Sequence, residues 1–419
     1  GGVLQEKLRI KGDGSIVTTN LGSNNVRIGL SAGVNLASGG TRNTLVGDYA
    51  GEDITTGDYN VGYGYQALTQ LATGERNTAL GYQSLRSLTT TGASYNVAVG
   101  FAAGELITSS QFNTLVGSLS GDSLSTSVGY NTALGYLALS ADTLGQESVA
   151  IGAQALATQN FTGAVAAYNT AVGVSAGRLV TTGVSNTLIG GAAGDALQDA
   201  DYNTAVGMNA LGADTLGSSS TAIGFEALKS QNHTEATAVY GTAVGYQAGK
   251  NVSDGLRNTL IGAFAGLNQT DTDDNTAVGY AALNNNVNGS ANTAMGHKAL
   301  YTMNPASDLE THNVAIGYNA GLLVTTGQYN TLIGGFAGDA QTTADHNVAL
   351  GVSTLTTNTK ANKNVAIGSN ALNTFNVTSD TDTYNTAVGY SAGGTITTGT
   401  ENTLIGGLAG DALTVAFYN

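Results

Sequence analysis

The sequence has no cysteine and no tryptophan, a single proline (Pro305), and only 10% charged residues over 419 positions. Each scarcity removes a class of explanation. Without cysteine there are no disulfides and no thiolate metal sites, although this alone does not assign a compartment. Lys and Arg number 14 against 29 Asp and Glu, for a net charge of −15. Proteins that bind a duplex need clustered cations to displace counterions from phosphates. The densest basic stretch, Lys7, Arg9 and Lys11, reads as the solvated face of a strand, so nucleic acid is not an expected partner. No run of eighteen apolar residues occurs, and no membrane insertion is expected. There is no initiator Met and no secretory signal. Asn419 stands seventeen residues after Asn402, where another repeat would begin, so the chain is expected to continue beyond the end given.

What is abundant is glycine, 60 residues, together with 41% apolar residues. Low-charge, glycine-rich chains are often disordered. Here the apolar residues recur at fixed spacing, which favours repetitive order. The unit is Asn-Thr-Ala/Leu-Val/Ile-Gly-x-x-Ala-Gly/Leu. Its glycine falls at Gly29, Gly47, Gly64, Gly81, Gly100, Gly117, Gly135, Gly152, Gly173, Gly190 and Gly207. It continues at Gly224, Gly245, Gly262, Gly279, Gly296, Gly317, Gly334, Gly351, Gly368, Gly389 and Gly406. The beat is mostly seventeen residues. Asn precedes the glycine by four in nineteen of twenty-two copies, the exceptions being Ser148, Ser220 and Gly241. A second beat lies above the first. Pairs ending Ala-Gly alternate with pairs ending Ala-Leu, and four extra residues enter once per set, so Gly173, Gly245, Gly317 and Gly389 are 72 residues apart.

Alternation of Thr and Val/Ile around a smaller residue is a period-2 pattern and predicts strands. Helix is further disfavoured by the recurring glycine, at about 1 kcal/mol each. The glycines are assigned to turns needing positive φ or close backbone approach. The Asn residues (Asn169, Asn186, Asn203, Asn258, Asn275, Asn292, Asn313, Asn330, Asn347, Asn364, Asn385 and Asn402) are expected to form an amide ladder along the edge of a stack with a spacing of about 4.8 Å. The predicted fold is therefore all-β: a parallel β-solenoid or β-roll of about 22 short coils. Residues 1–24 form a strand–turn–strand connector and residues 25–419 the solenoid.

Seventeen residues extend at most about 56 Å, so a one-repeat coil is narrow. Its interior is expected to hold two or three small side chains, chiefly Val, Ile and Ala. That is little apolar area against backbone ordering of about 1–2 kcal/mol per residue. Leu188, Leu260, Leu332 and Leu404 fall on the face opposite Ile189, Ile261, Ile333 and Ile405. Two apolar faces imply a core plus a second surface buried against sister chains, and a homotrimer is expected. One repeat per coil gives a stack of roughly 105 Å, and two repeats per coil about half that; the spacing alone leaves both open.

The copies Asn313–Gly317 and Asn364–Gly368, each Asn-Val-Ala-Ile-Gly followed by x-x-Ala, resemble the head repeats of YadA-type trimeric autotransporter adhesins. That resemblance implies a trimeric parallel β-roll with hydrophobic residues inside, although the family's repeat is shorter than seventeen. The longer form at Gly241–Gly249 resembles repeats in the tail fibres of tailed bacteriophages. So does the opening Glu6–Ile16, which is similar to the strand–turn–strand segment preceding such regions.

No catalytic constellation can be assembled. Gly-x-Ser-x-Gly elbows with Asp and His partners are lacking, and no helix follows the glycines to make a phosphate-binding loop. No enzyme activity, cofactor or metal is expected. His233, His297, His312 and His346 read as surface residues of loops. The acidic turns at Asp271, Asp273 and Asp274, and at Asp380 and Asp382, offer oxygen ligands for calcium, but the Gly-Gly-x-Gly-x-Asp repeat of calcium-binding rolls is missing and solvated loops are the simpler reading. Four longer segments, Ala157–Tyr168, Lys229–Tyr240, Tyr301–His312 and Asn373–Tyr384, diverge while the coils do not. Loops on a rigid scaffold commonly carry recognition, and Phe161, Tyr168, Tyr240, Tyr301, Phe375 and Tyr384 are candidate contacts for a cell-surface glycan or protein receptor, set against plain spacer loops. Tyr82, Tyr136, Tyr246, Tyr280, Tyr318 and Tyr390, each following a repeat glycine, read as a stacked surface or an interchain contact.

The expected role is structural: a segment of a trimeric virion fibre at the virion surface or outside the cell. It would join other fibre or baseplate proteins in a host-attachment appendage. The alternative is a cell-surface adhesin head that itself binds matrix or glycan. An ice-binding solenoid would need two threonine columns, and Asn-Thr supplies one.

Overall fold

The computed structural model describes residues 9–10, 16–17, 24–125, 129–415 and 417–418. They contain strands and turns and no helix. Of the connector, Arg9–Ile10 pairs antiparallel with Ile16–Val17, with Arg9 opposite Val17. Lys7, Lys11 and most of residues 1–23, like Asn419, lie outside the described residues.

The chain forms two compact units, Gly1–Tyr202 and Asn203–Asn419. Each is a parallel β-solenoid, and together they supply about 22 turns. Every turn contributes one three-residue strand, mostly Thr/Val–Ala/Leu–Val/Ile/Leu, with Arg27, Gly62, Tyr63 and Met295 departing from the pattern. In the first unit Thr170, Ala171 and Val172 pair with Thr187, Leu188 and Ile189. In the second, Thr242, Ala243 and Val244 pair with Thr259, Leu260 and Ile261. Consecutive repeats are therefore neighbours in the ladder, and one coil holds one repeat.

Alternation along so short a strand leaves one inward position, the middle one. Ala171, Leu188, Ala243 and Leu260 are fully buried, whereas Ile189 and Ile261 are 39% and 38% exposed. The expectation that Val and Ile fill the interior is thus corrected. The strand interior is Ala and Leu, and the Val/Ile column stands on the outer face beside the Thr column. A thin coil explains the choice: an inward β-branched chain at every rung would exceed the available width, while alanine fits.

The 72-residue beat is a volume code for that interior. Four residues after the turn glycine stands either Gly or Leu, both left-handed, as at Gly177 (φ 58) and Leu211 (φ 52). A Cβ on Gly177 would lie 2.7 Å from Leu188 Cδ1, and one on Gly194 2.7 Å from Leu188 Cδ2. Leu188 thus fills space that its own and the preceding coil leave open with glycine. Gly249, Gly266 and Leu260 repeat the arrangement in the second unit. In two consecutive coils whose strand centres are both Ala, Ala205 and Ala222, the later position is Leu in both (Leu211, Leu228), and all four are buried. Conserving volume across a close-packed core in this way avoids both cavities and overpacking.

The four-residue insertions leave the ladder in register. Thr221 pairs with Thr242 across an insertion just as Thr204 pairs with Thr221 without one. The extra length is taken up outside, where Gly217–Ser218 pairs with Thr237–Ala238 and Gly289–Ser290 with Leu309–Glu310.

Candidate functional site

The turn glycines occupy a conformation reserved for glycine. From Gly29 to Gly406 their φ values run from 123° to 146°. A Cβ on Gly245 would stand 2.6 Å from the backbone carbonyl carbon and oxygen of Gly262, and one on Gly317 2.5 Å from Gly334 O. The glycine column is where successive coils touch backbone to backbone.

The Asn ladder exists, but inside the coil and not along an edge. Asn313, Asn330 and Asn347 are fully buried. The backbone N–H of Asn330 donates to Asn313 Oδ1 at 3.0 Å, and Asn347 N–H to Asn330 Oδ1 at 3.0 Å. Asn313 Nδ2 donates at 2.7 Å to Gly327 O, three residues before the next Asn. Each amide therefore staples two coils at a cost to neither, because both of its ends are satisfied. Such a net bond contributes about 1 kcal/mol, and an unpaired buried amide would cost more.

A second interior column lies seven residues after the turn glycine. It is apolar and buried at Ile54, Leu71, Leu88, Ile107 and Leu124, and from there on it mixes polar side chains with apolar ones such as Val180 and Leu197. Asp142 accepts from Gln159 Nε2 at 2.7 Å and from Gly145 N–H at 2.8 Å. Gln159 Nε2 also donates to Ser148 Oγ at 3.0 Å, and Gln159 Oε1 receives Asn169 Nδ2 at 2.9 Å. Seventy-two residues on, Gln231 Nε2 donates to Asp214 Oδ2 at 2.6 Å and to Ser220 Oγ at 3.0 Å. Here His233, read from the sequence as a surface loop residue, is 6% exposed. Its Nδ1 lies 3.8 Å from Asp214 Oδ1. The two residues are nineteen apart in the chain, a separation that suggests contact only once the coil length is known. Further on, Asn286 and Asn358 close on their own turns, bonding Gly289 and Ala361.

The carboxyls report these surroundings. Burial raises Asp142 above its ordinary 3.8, against the opposing hydrogen bonds from Gln159 and the backbone. Burial also pushes Asp214 upward, but the His233 imidazole 3.8 Å away, the Gln231 amide and the His233 and Gly217 backbone N–H groups outweigh it and leave the group lowered. His233 is raised by the Asp214 carboxylate. Asp122, half-buried with Oδ1 unpartnered, is raised to about 6 by burial and then by Glu105.

Of the candidate recognition aromatics, Phe161 and Phe375 are 5% and 0% exposed. They belong to the core and cannot stack on a ligand, which corrects that expectation. Phe375 stands at the inward position seven residues after Gly368, as Gln231 does after Gly224, whereas Phe161 lies two residues beyond that position, as the buried His233 does in the next set. Each insertion is then tied down by an Asn that the sequence reading did not single out. Asn160 Oδ1 accepts from Thr143 Oγ1 at 2.7 Å and Asn376 Oδ1 from Thr359 Oγ1 at 2.8 Å. The exposed tips are short, at 162–164, 234–236, 306–308 and 378–380. Tyr301 is half-buried under Lys298, 5.3 Å from the ring centre.

Tyr168, Tyr240 and Tyr384 are exposed, but they sit just before the ladder position in left-handed conformation, on the regular wall and not on the tips. In that column Tyr95, Phe112 and Tyr130 stack at 5.6 and 4.9 Å, and Arg76 lies over Tyr59 and Tyr95. The column after the turn glycine stacks too: Tyr82 on Phe101 at 5.1 Å, and Tyr280, His297 and Tyr318 at 5.3 and 5.0 Å. Ring faces within these runs are turned to one another, leaving edges outward. Tyr136 and Tyr390 are exposed in the same column.

The acidic turns are engaged by the protein itself. Arg257 pairs with Asp274 at 2.6 Å and Asp273 at 3.4 Å, Ser253 Oγ donates to Asp271 at 2.6 Å, and Lys363 pairs with Asp382 at 2.6 Å. Thr343 Oγ1 donates to Asp380 at 2.5 Å. Among the described residues no group of three or more His, Asp or Glu is arranged to hold a metal ion.

The strand face is the largest repeated feature left. Across the second unit its outward positions are Thr or Val followed by Val, Ile, Met or Leu, with no charged residue in any rung. The chain matches no model of a known protein family, and no characterised protein matches its sequence.

Proposed function

We propose that the chain is a structural segment of a trimeric fibre on a virion surface, resembling phage tail fibres, that projects or forms a host-attachment appendage. The carrying observation is the uncharged outward strand face, with Ile261, Met295 and Leu350 about two-fifths exposed and Val278, Ile316 and Ile333 half-buried in the rungs between them. A contiguous apolar strip of this kind marks a protein contact. Copies of the same chain suit it, because a surface repeating at one rung per coil is matched by a partner with the same repeat. The interior supports a mechanical role: coils are joined by backbone ladders, Asn staples and glycine contacts. Catalysis has no part in this reading, and no cofactor is invoked.

Light scattering on the purified chain tests the assembly. A mass three times 42.0 kDa is expected, and Ile261→Lys with Ile333→Lys should yield folded single chains. A monomeric native protein at working concentration refutes the trimer. The adhesin reading retains the exposed tips at 162–164, 234–236, 306–308 and 378–380 as its support. Glycan-array binding lost on trimming those tips would favour it.

A further inference from the structure

At Gly241 the Asn ladder loses a rung without losing its spacing. Thr221 N–H donates to Gly241 O at 2.8 Å, and Thr242 N–H to Asn258 O at 2.8 Å. The same two bonds flank Asn169, 72 residues earlier, also at 2.8 Å. The coils have therefore not closed over the missing carboxamide. A Cβ on Gly241 would meet Gln231 Oε1 and Val239 Cγ1 at 3.6 Å and Leu228 Cδ1 at 3.7 Å, all ordinary contact distances.

Two polar groups face the place where the amide would stand. Gln231 is fully buried, and its Oε1 has no hydrogen-bond partner. Its orientation is set by the other end, since Nε2 donates to Asp214 and Ser220. In the earlier set the matching oxygen, Gln159 Oε1, receives Asn169 Nδ2. The second group is the backbone N–H of Asn258. In neighbouring rungs such an N–H is taken by the preceding Asn side-chain oxygen, as Asn275 N–H is by Asn258 Oδ1, and glycine has no side-chain oxygen to offer.

We propose that this rung is a binding site for a single internal water. The water donates to Gln231 Oε1 and accepts from Asn258 N–H, in place of a side-chain carboxamide. A buried water needs room and at least two polar partners, and the site supplies both. Gln269 and Gln341 are also buried with unpartnered amides, but their coils keep every ladder Asn and open no such space.

Crystal structures of the full chain and of Gly241→Asn and Gln231→Leu test the assignment. One water-sized density peak within hydrogen-bonding distance of Gln231 Oε1 is expected in the native chain. It should be gone in Gly241→Asn, with Nδ2 on Gln231 Oε1, and gone in Gln231→Leu. The Gly241→Asn chain should unfold at a higher temperature, because the new amide reproduces the water's bonds without immobilising a solvent molecule. No native peak, a peak that survives in Gly241→Asn, or an unfolding midpoint at or below the native one overturns the proposal.

Discussion

One substitution made at four places should change sign with the partners of the side chain. Gln269 and Gln341 are fully buried, and neither Nε2 nor Oε1 of either residue has a hydrogen-bond partner. Leu197, 72 residues before Gln269, occupies the same inward position and is also fully buried. A buried polar group left unpaired costs about 1–3 kcal/mol, so Gln269→Leu and Gln341→Leu should each stabilise by roughly that amount. Gln159 and Gln231 sit in the same column, but their Nε2 atoms bond Asp142 and Asp214. There the change to Leu strips a buried carboxylate of a donor and should destabilise by about 1–3 kcal/mol. Because a stack of coils is held by nearest-neighbour terms, the effect should be concentrated in the altered coil. Native-state hydrogen exchange at Ala277 and Ala349, and at Ala150 and Ala222 for the controls, reads it locally. A loss of protection in Gln269→Leu, or the same sign at all four sites, would refute the reasoning.

The glycine column should be intolerant: Gly245→Ala forces a Cβ to 2.6 Å from the Gly262 carbonyl at φ 141°, and a loss of about 3 kcal/mol or more is expected in denaturant unfolding. Asp122, raised to about 6, contributes stability that is present below its ordinary 3.8 and is lost as pH rises through about 6. Asp122→Asn should therefore stabilise at pH 8 by about 1 kcal/mol, discounted for its half-exposure, and the gain should vanish below about pH 4. His233→Phe copies Phe161 of the preceding set and should turn Asp214 from a lowered group into a raised one like Asp142. Native Asp214 supports the fold above its ordinary value and loses that support as pH falls, whereas the variant carboxyl favours the fold only as pH falls. His233, being raised, adds stability below about 6.5 that fades at higher pH. The difference in unfolding midpoint between native and variant, followed from about pH 3 to 8, should shrink toward both ends, and a pH-independent difference would exclude the pair.

The repeat, the strand position and the turn glycines were legible because they depend on local rules: a period of two, a period of seventeen, and a backbone that only glycine tolerates. Which side of the strand faces inward was not. Ala/Leu and Val/Ile are both apolar, and the choice falls to the width of the coil, a tertiary quantity. Asn was correctly seen as a ladder and wrongly put at the edge, because a polar side chain is usually placed near water. Its Oδ1 instead meets the next coil's N–H, a partner invisible until the register is known. The same gap hid the His233–Asp214 pair and made Phe161 and Phe375 look like loop aromatics. The 72-residue beat was legible as a pattern, but its meaning as alternating volume at Gly177, Leu188 and Gly194 needed three coils in contact.

Inside the coil, variation comes in matched sets. Asp142, Ser148, Gln159 and Asn169 form one closed polar circuit. Two sets later the corresponding residues are Asn286, Asn292, Met303 and Asn313. The acid has become an amide that satisfies itself on Gly289, and the glutamine it no longer needs has become a buried Met. In the last set Asn358, Asn364, Phe375 and Asn385 solve the same problem with a phenyl ring. The set with Asp214, Ser220, Gln231 and Gly241 is the incomplete one, with an acid and a glutamine retained and the ladder amide gone. It is also the one that holds the buried histidine. The turn glycines thus stay constant, and the Asn ladder nearly so, while the core beside them changes by compensated exchange, since each polar atom carried into so narrow an interior must bring its partner or leave an unpaired group behind.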